Sequence, residues 1–250
     1  METPFKTDLY KAFLTYIPGE LEELFNRAAS NHEKDFYAEL CDMMIRRGGR
    51  NDLSTGEEKA SVLTLFGGVD GAGKTSFYRT DYVRRIDMGQ HIDVDEIAKT
   101  LGNWSEGSVQ YAAAQEAIRI SNRRILEGVS FNRESTMTGY TIFNLARFAK
   151  KKNYKVVLYY LGVDSAETAV MRVAGRAAEG GYSVDENTVR LRYGRSLQQV
   201  GDHLSLFDKI YFFDNTSWFM RVAECEGEKL VWEKAGYHSE WLERILASAD

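Results

Sequence analysis

The chain has 250 residues, 44% hydrophobic, 12% aromatic and 28% charged, an ordinary globular composition that excludes intrinsic disorder and low-complexity structure. With 32 Lys and Arg against 37 Asp and Glu the net charge is −5, which removes the electrostatic footprint expected of a nucleic-acid binder. Two cysteines, Cys41 and Cys225, are too few for a disulfide framework or a zinc site, and no apolar run approaches the roughly 20 residues that cross a bilayer. The N-terminus lacks the basic-then-apolar order of a signal peptide. These features describe a cytoplasmic chain acting on a small partner, with no nucleic acid and no membrane.

In chain order, Leu9, Phe13, Leu14 and Ile17 recur at helical spacing up to the interruption at Pro18-Gly19. Leu21, Leu24 and Phe25 predict a second helix, and Phe36, Leu40, Met43 and Met44 a third, stopped by Gly48-Gly49. The polar run at residues 50–59 is a boundary, so residues 1–55 read as an N-terminal helical extension and 56–250 as the main domain. Apolar strands are then predicted at 61–66, 91–94, 129–133, 155–161 and 209–213, separated by helices at 109–126, 141–151, 165–178 and 186–200. That alternation predicts an α/β fold, a parallel sheet flanked by helices on both faces.

The first strand runs into Gly68-Val69-Asp70-Gly71-Ala72-Gly73-Lys74-Thr75, a complete G-x-x-x-x-G-K-[ST] phosphate loop between a strand and a helix. Its glycines let successive N–H groups converge on an anion, and the helix that follows adds its positive end. Gly68, Asp70, Gly71, Ala72, Gly73, Lys74, Thr75 and Ser76 are the candidate nucleotide ligands. Lys74 is suited to the β/γ-phosphates of ATP and the Thr75 hydroxyl to Mg²⁺. No N-K-x-D element for guanine and no clean Walker-B pair appears, which points to a small-substrate kinase.

Such a kinase needs a base for the acceptor hydroxyl and cations for the moving phosphoryl group. Asp93 and Asp95 close the second strand and share a face if that strand continues through them; the alternative for Asp95 is a helix cap on Glu96-Ile97-Ala98. Glu134, followed by Ser135 and Thr136, suits a polyhydroxy substrate, or is a surface turn acid. Arg172 and Arg176 lie one helical turn apart, Gly180-Gly181 breaks the chain, and Ser183-x-x-Glu186 has the form of a capping box before Arg190, Arg192 and Arg195. This excursion reads as an Arg-rich helical lid closing over phosphates, or as two solvated helices.

The phosphate loop, the IDVDEI segment, the Glu134-Ser135-Thr136 turn, the string RVAGRAAEGGYSVDENTVRLRYGRSL and the closing FDKIYFFDNTS together resemble the zeta toxin family of P-loop kinases, from about Ser61 to Ser217. The resemblance implies a P-loop kinase fold and ATP-dependent phosphorylation of the 3′-hydroxyl of a UDP-activated amino sugar, UDP-N-acetylglucosamine. It assigns Lys74 and Thr75 to the phosphate-loop pair, Asp95 to the general base, Glu134 to the substrate-side carboxylate and Arg172 to a lid phosphate ligand. The chain departs from the family at Tyr182, where a second arginine or a histidine stands, and at Asp185, which replaces a proline; Arg176 and Arg190 are the substitutes for the missing ligand. The resemblance also implies an antitoxin partner, and residues 1–55 either supply part of that restraint in cis or are plain structural helices. Other readings are a kinase of another small hydroxyl compound (nucleoside, cofactor or antibiotic) and a nucleotide-binding module without turnover.

Overall fold

The computed structural model describes residues 18–47, 60–80, 83, 88–103, 106–178 and 184–249. The expected first helix, residues 179–183 of the lid and the polar boundary at 50–59 lie outside them. The chain forms two compact units, one of Met1–Glu57 with Ser76–Asp87 and the other of Glu58–Thr75 with Met88–Asp250.

In the first unit, α1 (Pro18–Arg27) and α2 (Asn31–Arg47) form a helical hairpin. Proline is tolerated at the first helical position, where its missing N–H has no intrahelical partner, so Pro18 opens α1. Leu21 is fully buried against Leu24, Tyr37 and Leu40. The turn is fixed by Ser30 and Glu33: the Glu33 N–H donates to Ser30 Oγ at 3.2 Å while Glu33 Oε2 accepts from the Ala29 N–H at 2.9 Å. Two helix-end donors are satisfied at once.

The second unit is an α/β fold around a seven-stranded, mostly parallel sheet. Its strands are β1 (Val62–Gly67), β2 (Gln90–Ile92), β3 (Phe131–Ser135), β4 (Lys155–Gly162), β5 (Lys209–Asp214), β6 (Met220–Glu226) and β7 (Lys229–Glu233), in the order β2-β3-β1-β4-β5-β6-β7. The first five are parallel, with Leu63 opposite both Phe131 and Val156, and β6 and β7 add antiparallel to that edge. β1 shows five consecutive buried residues, the pattern of a strand covered on both sides, which is why it reads as an unbroken apolar run. Its helices are α3 (Lys74–Tyr78), which starts in this unit, α4 (Val94–Leu101), α5 (Gly107–Glu127), α6 (Tyr140–Lys151), α7 (Ala166–Ala178), α8 (Glu186–Gly201) and α9 (Glu240–Leu246).

One face of the sheet receives α5, α8 and α9: Arg133 Nη1 donates to Ser121 Oγ on α5 at 3.2 Å, Tyr160 shares a hydrogen bond with Ser196 on α8 at 3.0 Å, and Trp241 on α9 packs on Tyr160 and Phe212. The opposite face carries an aromatic row, Phe66 on Tyr159 and Tyr159 on Tyr211. β6 puts charge onto the sheet, with Glu224, 2% exposed, accepting from Lys209 at 2.7 Å and Arg221 lying over Tyr211 and Trp232.

Three boundaries differ from the sequence-based expectation, each for a local reason. β2 stops at Ile92 instead of running through Val94, because Asp93 turns its carboxylate onto the Asp95 and Glu96 N–H groups at 2.8 and 3.2 Å and starts α4. β3 begins at Phe131 rather than 129, since Gly128 in the left-handed region caps α5 and the Val129 N–H still bonds Arg124 O. The N-cap of α8 is Asp185, whose carboxylate accepts from the Thr188 N–H at 3.0 Å, and not Ser183. β6, β7 and α9 have no counterpart among the expected elements.

Candidate active site

The sheet order puts β1 between β3 and β4, so chain segments leave β1 toward one edge and return on the other side. Ligands of such sheets bind outside the carboxyl ends of the strands at that switch point. The residues singled out in the sequence follow those strand ends: the loop after β1, Asp93 and Asp95 after β2, and Glu134 in β3.

The loop is shaped by close approach. A Cβ on Gly71 would stand 2.6 Å from Ala169 O on α7, and one on Gly73 would stand 2.4 Å from Asn215 Nδ2; both positions have φ values, +81° and +89°, that favour glycine. Asn215 Nδ2 donates to Ala72 O at 2.9 Å, so the turn after β5 buttresses the loop from outside. Arg192 on α8 pairs with Asp70 at 2.9 Å, a second buttress. Neither Asn215 nor Arg192 was among the candidate site residues; a helical face cannot be chosen from spacing until the cap of α8 is known.

Lys74 Nζ lies along the loop and donates to Gly68 O at 2.7 Å and Val69 O at 2.9 Å. Burial pushes its ammonium below the usual lysine range, and Arg176 and Arg192 act in the same direction, against Asp70 and Glu134. Thr75 Oγ1 donates to Glu134 Oε2 at 3.0 Å, joining the loop to β3. Ser76, on the next position of α3, is exposed. Burial raises the Glu134 carboxyl above its ordinary range, opposed by Lys74, the Thr75 hydrogen bond and His91. Asp95, in the first turn of α4, is also raised, first by withdrawal from water and then by Asp93, while Arg176 pulls it down. Arg176 therefore acts on both Lys74 and Asp95.

Asp93 is the cap of α4, with His91 Nε2 3.9 Å from its carboxylate. His91 Nδ1 donates to Asn132 Oδ1 at 2.6 Å, since the Asn132 amide itself donates to Met88 O and Gly89 O. The Thr136 hydroxyl is bonded to Thr138 at 2.9 Å. Arg172 Nη2 donates to Thr216 O at 2.8 Å, tying α7 to the turn after β5. Arg190 is not brought to the loop: it is held by Glu186 on its own helix and by Glu167 on α7. Tyr182 lies outside the described residues.

The donor set suits a polyphosphate: a glycine-shaped loop of main-chain N–H groups, an ammonium across it and a helix beginning at Lys74. Among the described residues no three His, Cys, Asp or Glu side chains cluster as a metal site. The oxygens on offer are the Thr75 hydroxyl and the Glu134 carboxylate, which fits an ion such as Mg²⁺ that takes few protein ligands and shares phosphate oxygens.

No protein-family model matches the chain. It is 28% identical to an uncharacterized protein of Haemophilus influenzae over 128 residues, 50% of this chain and 88% of that one. Among solved structures, AvrRxo1-ORF1:AvrRxo1-ORF2 with sulphate ions is similar at a TM-score of 0.56 and 14% identity over 99% of this chain and 80% of that one. The same pair with ATP is similar at 0.55 and 17% identity over 94% and 78%. At these identities the likeness is one of fold: the α/β architecture is shared. No helix among the described residues is long and apolar enough to cross a membrane.

Proposed function

We propose that the chain is an ATP-dependent phosphotransferase acting on the hydroxyl of a small molecule. The reading is carried by one juxtaposition: Thr75 of the phosphate loop is hydrogen-bonded to Glu134 of the neighbouring strand, with Lys74 beside both and Arg176 acting on Lys74 and Asp95 alike. ATP in the structure of AvrRxo1-ORF1:-ORF2, which shares the fold, supports the choice of donor. The γ-phosphoryl group is the chemistry that ATP supplies when bound with Mg²⁺.

The protein's own residues divide the remaining work. The loop N–H groups and Lys74 bind the phosphates, and Thr75 with Glu134 orients the ion. Asp95 accepts the proton of the acceptor hydroxyl, a task helped by a pKa raised toward neutrality. Arg172 and Arg176 offset negative charge on the transferring group. Asp93 holds the first turn of α4, and with it Asp95, in place.

The acceptor we favour is the 3′-hydroxyl of UDP-N-acetylglucosamine, on the resemblance to zeta toxins, with a protein antitoxin as partner. A polyhydroxy acceptor is consistent with Glu134, which offers a carboxylate to hydroxyl donors. The test is mass spectrometry of UDP-sugars incubated with ATP, Mg²⁺ and the protein. A product heavier by one phosphoryl group is expected; ADP release with another hydroxyl acceptor alone would replace the substrate and keep the reaction class, and no release with any acceptor would remove both.

A further inference from the structure

Away from the phosphate loop, α8 and the C-terminal segment from α9 onward border an open cavity of about 720 Å³, in which Arg195 and Arg244 are solvent-exposed. Arg190, Arg195, Gln198, Arg244 and Ser248 supply its polar lining, and Leu191 and Ala247 part of the apolar remainder. Each of those polar side chains can donate hydrogen bonds and none is acidic. Arg190 is already neutralised by Glu186 and Glu167. Among the described residues, the guanidinium groups of Arg195 and Arg244 are neither hydrogen-bonded nor paired with a carboxylate. In a chain of net charge −5, two unpaired arginines on facing helices are not the overflow of a basic surface.

The glycines of α8 show how the cavity is cut. Gly201 touches the end of α9 and the turn after it: a Cβ there would stand 2.7 Å from Ile245 O and 2.6 Å from Ser248 Cβ. Gly194, seven residues earlier and so on the same helical face, would bring its Cβ near Arg244 Nη2 alone, at 3.8 Å. Glycine inside a helix is destabilising, and here no backbone approach demands it. What the bare Cα leaves is space beside two guanidinium groups, walled by helices that are in backbone contact at one end.

We propose that this cavity is a second anion site, independent of the phosphate loop, that binds a small phosphate-bearing molecule through Arg195 and Arg244. Guanidinium forks reaching in from two helices match several oxygens of a tetrahedral anion, and the volume is that of a small-molecule site rather than a protein footprint.

The experiment is calorimetric titration of the full chain with inorganic pyrophosphate, in the wild type and in Lys74→Ala, each with and without Arg195→Gln/Arg244→Gln, with circular dichroism checking the fold. Two binding events are expected in the wild type. The one that survives Lys74→Ala is expected to weaken about tenfold or more when both arginines are replaced. Gly194→Leu, which fills the cavity without altering charge, is expected to do the same. A single event in the wild type, or a Lys74→Ala isotherm indifferent to the arginine pair, overturns the site. Loss with the arginines but not with Gly194→Leu overturns the cavity as its location. None of these readings depends on phosphoryl transfer.

Discussion

Glu134 reaches Thr75 from the end of β3 while its surroundings work against its charge. Because burial raises its folded pKa, Glu134 favours the folded state fully only below the unfolded value of about 4.3, and that contribution is lost as pH rises through the folded value. Wherever the carboxylate is ionised it is therefore a cost to the folded state. Glu134→Gln keeps an acceptor for the Thr75 hydroxyl and removes the charge. It should raise Tm at pH 7, with the gain disappearing at pH values below the ordinary carboxylate range, while turnover falls; melting curves at several pH values test this. Asp95 makes a companion prediction. It must be ionised to accept a proton, so the acid limb of kcat should lie above the ordinary aspartate value of about 3.9. Asp93→Asn still caps α4 but removes the neighbouring charge, and should move that limb to lower pH. Asp95→Asn should leave ATP binding intact and lower kcat by about 10²-fold or more, measured by titration and turnover together.

At the scale of elements, the phosphate loop depends on its neighbours. Asn215→Ala removes the donor to Ala72 O, and a loop carbonyl left without it should weaken nucleotide binding by severalfold at a stability cost of about 1 kcal/mol, read by titration and denaturant melts. The loop and the five parallel strands are legible in the sequence because their signals are local: the motif stands between a strand and a helix, and strands such as β1 and β4 are unbroken apolar runs. β6 is hidden for the opposite reason. MRVAECE carries Arg221 and Glu224, residues that ordinarily mark a surface, yet both are buried in the sheet, with Lys209 and aromatic rings as their company. The register of a short strand and a helix start was equally hard to read at Asp93, where one carboxylate decides between two interpretations. Likewise, spacing alone ranks Arg190 with Arg192. Only packing assigns Arg192 to the Asp70 carboxylate in the loop and Arg190 to Glu167 and Glu186.

Across the second unit, the turn after β5 and the C-terminal segment share one buried carboxylate. Asp214 Oδ2 accepts from Tyr237 Oη at 2.7 Å, Trp241 Nε1 at 3.1 Å and Thr216 Oγ1 at 3.1 Å, while its Oδ1 accepts from the Thr216 N–H at 2.8 Å. Trp241, 1% exposed, fills the space over Tyr160 and Phe212, and Trp241→Ala should cost about 3–5 kcal/mol by leaving a cavity there, measured by denaturant unfolding. Thr216 is also the residue whose carbonyl receives Arg172, so the tail and α7 answer to the same anchor. Shortening the chain ahead of Tyr237 would strip two donors from Asp214 and leave it to draw in water beside Asn215. Damage done some twenty residues downstream would then surface as poor nucleotide retention, a defect easily mistaken for a fault in the glycine loop itself.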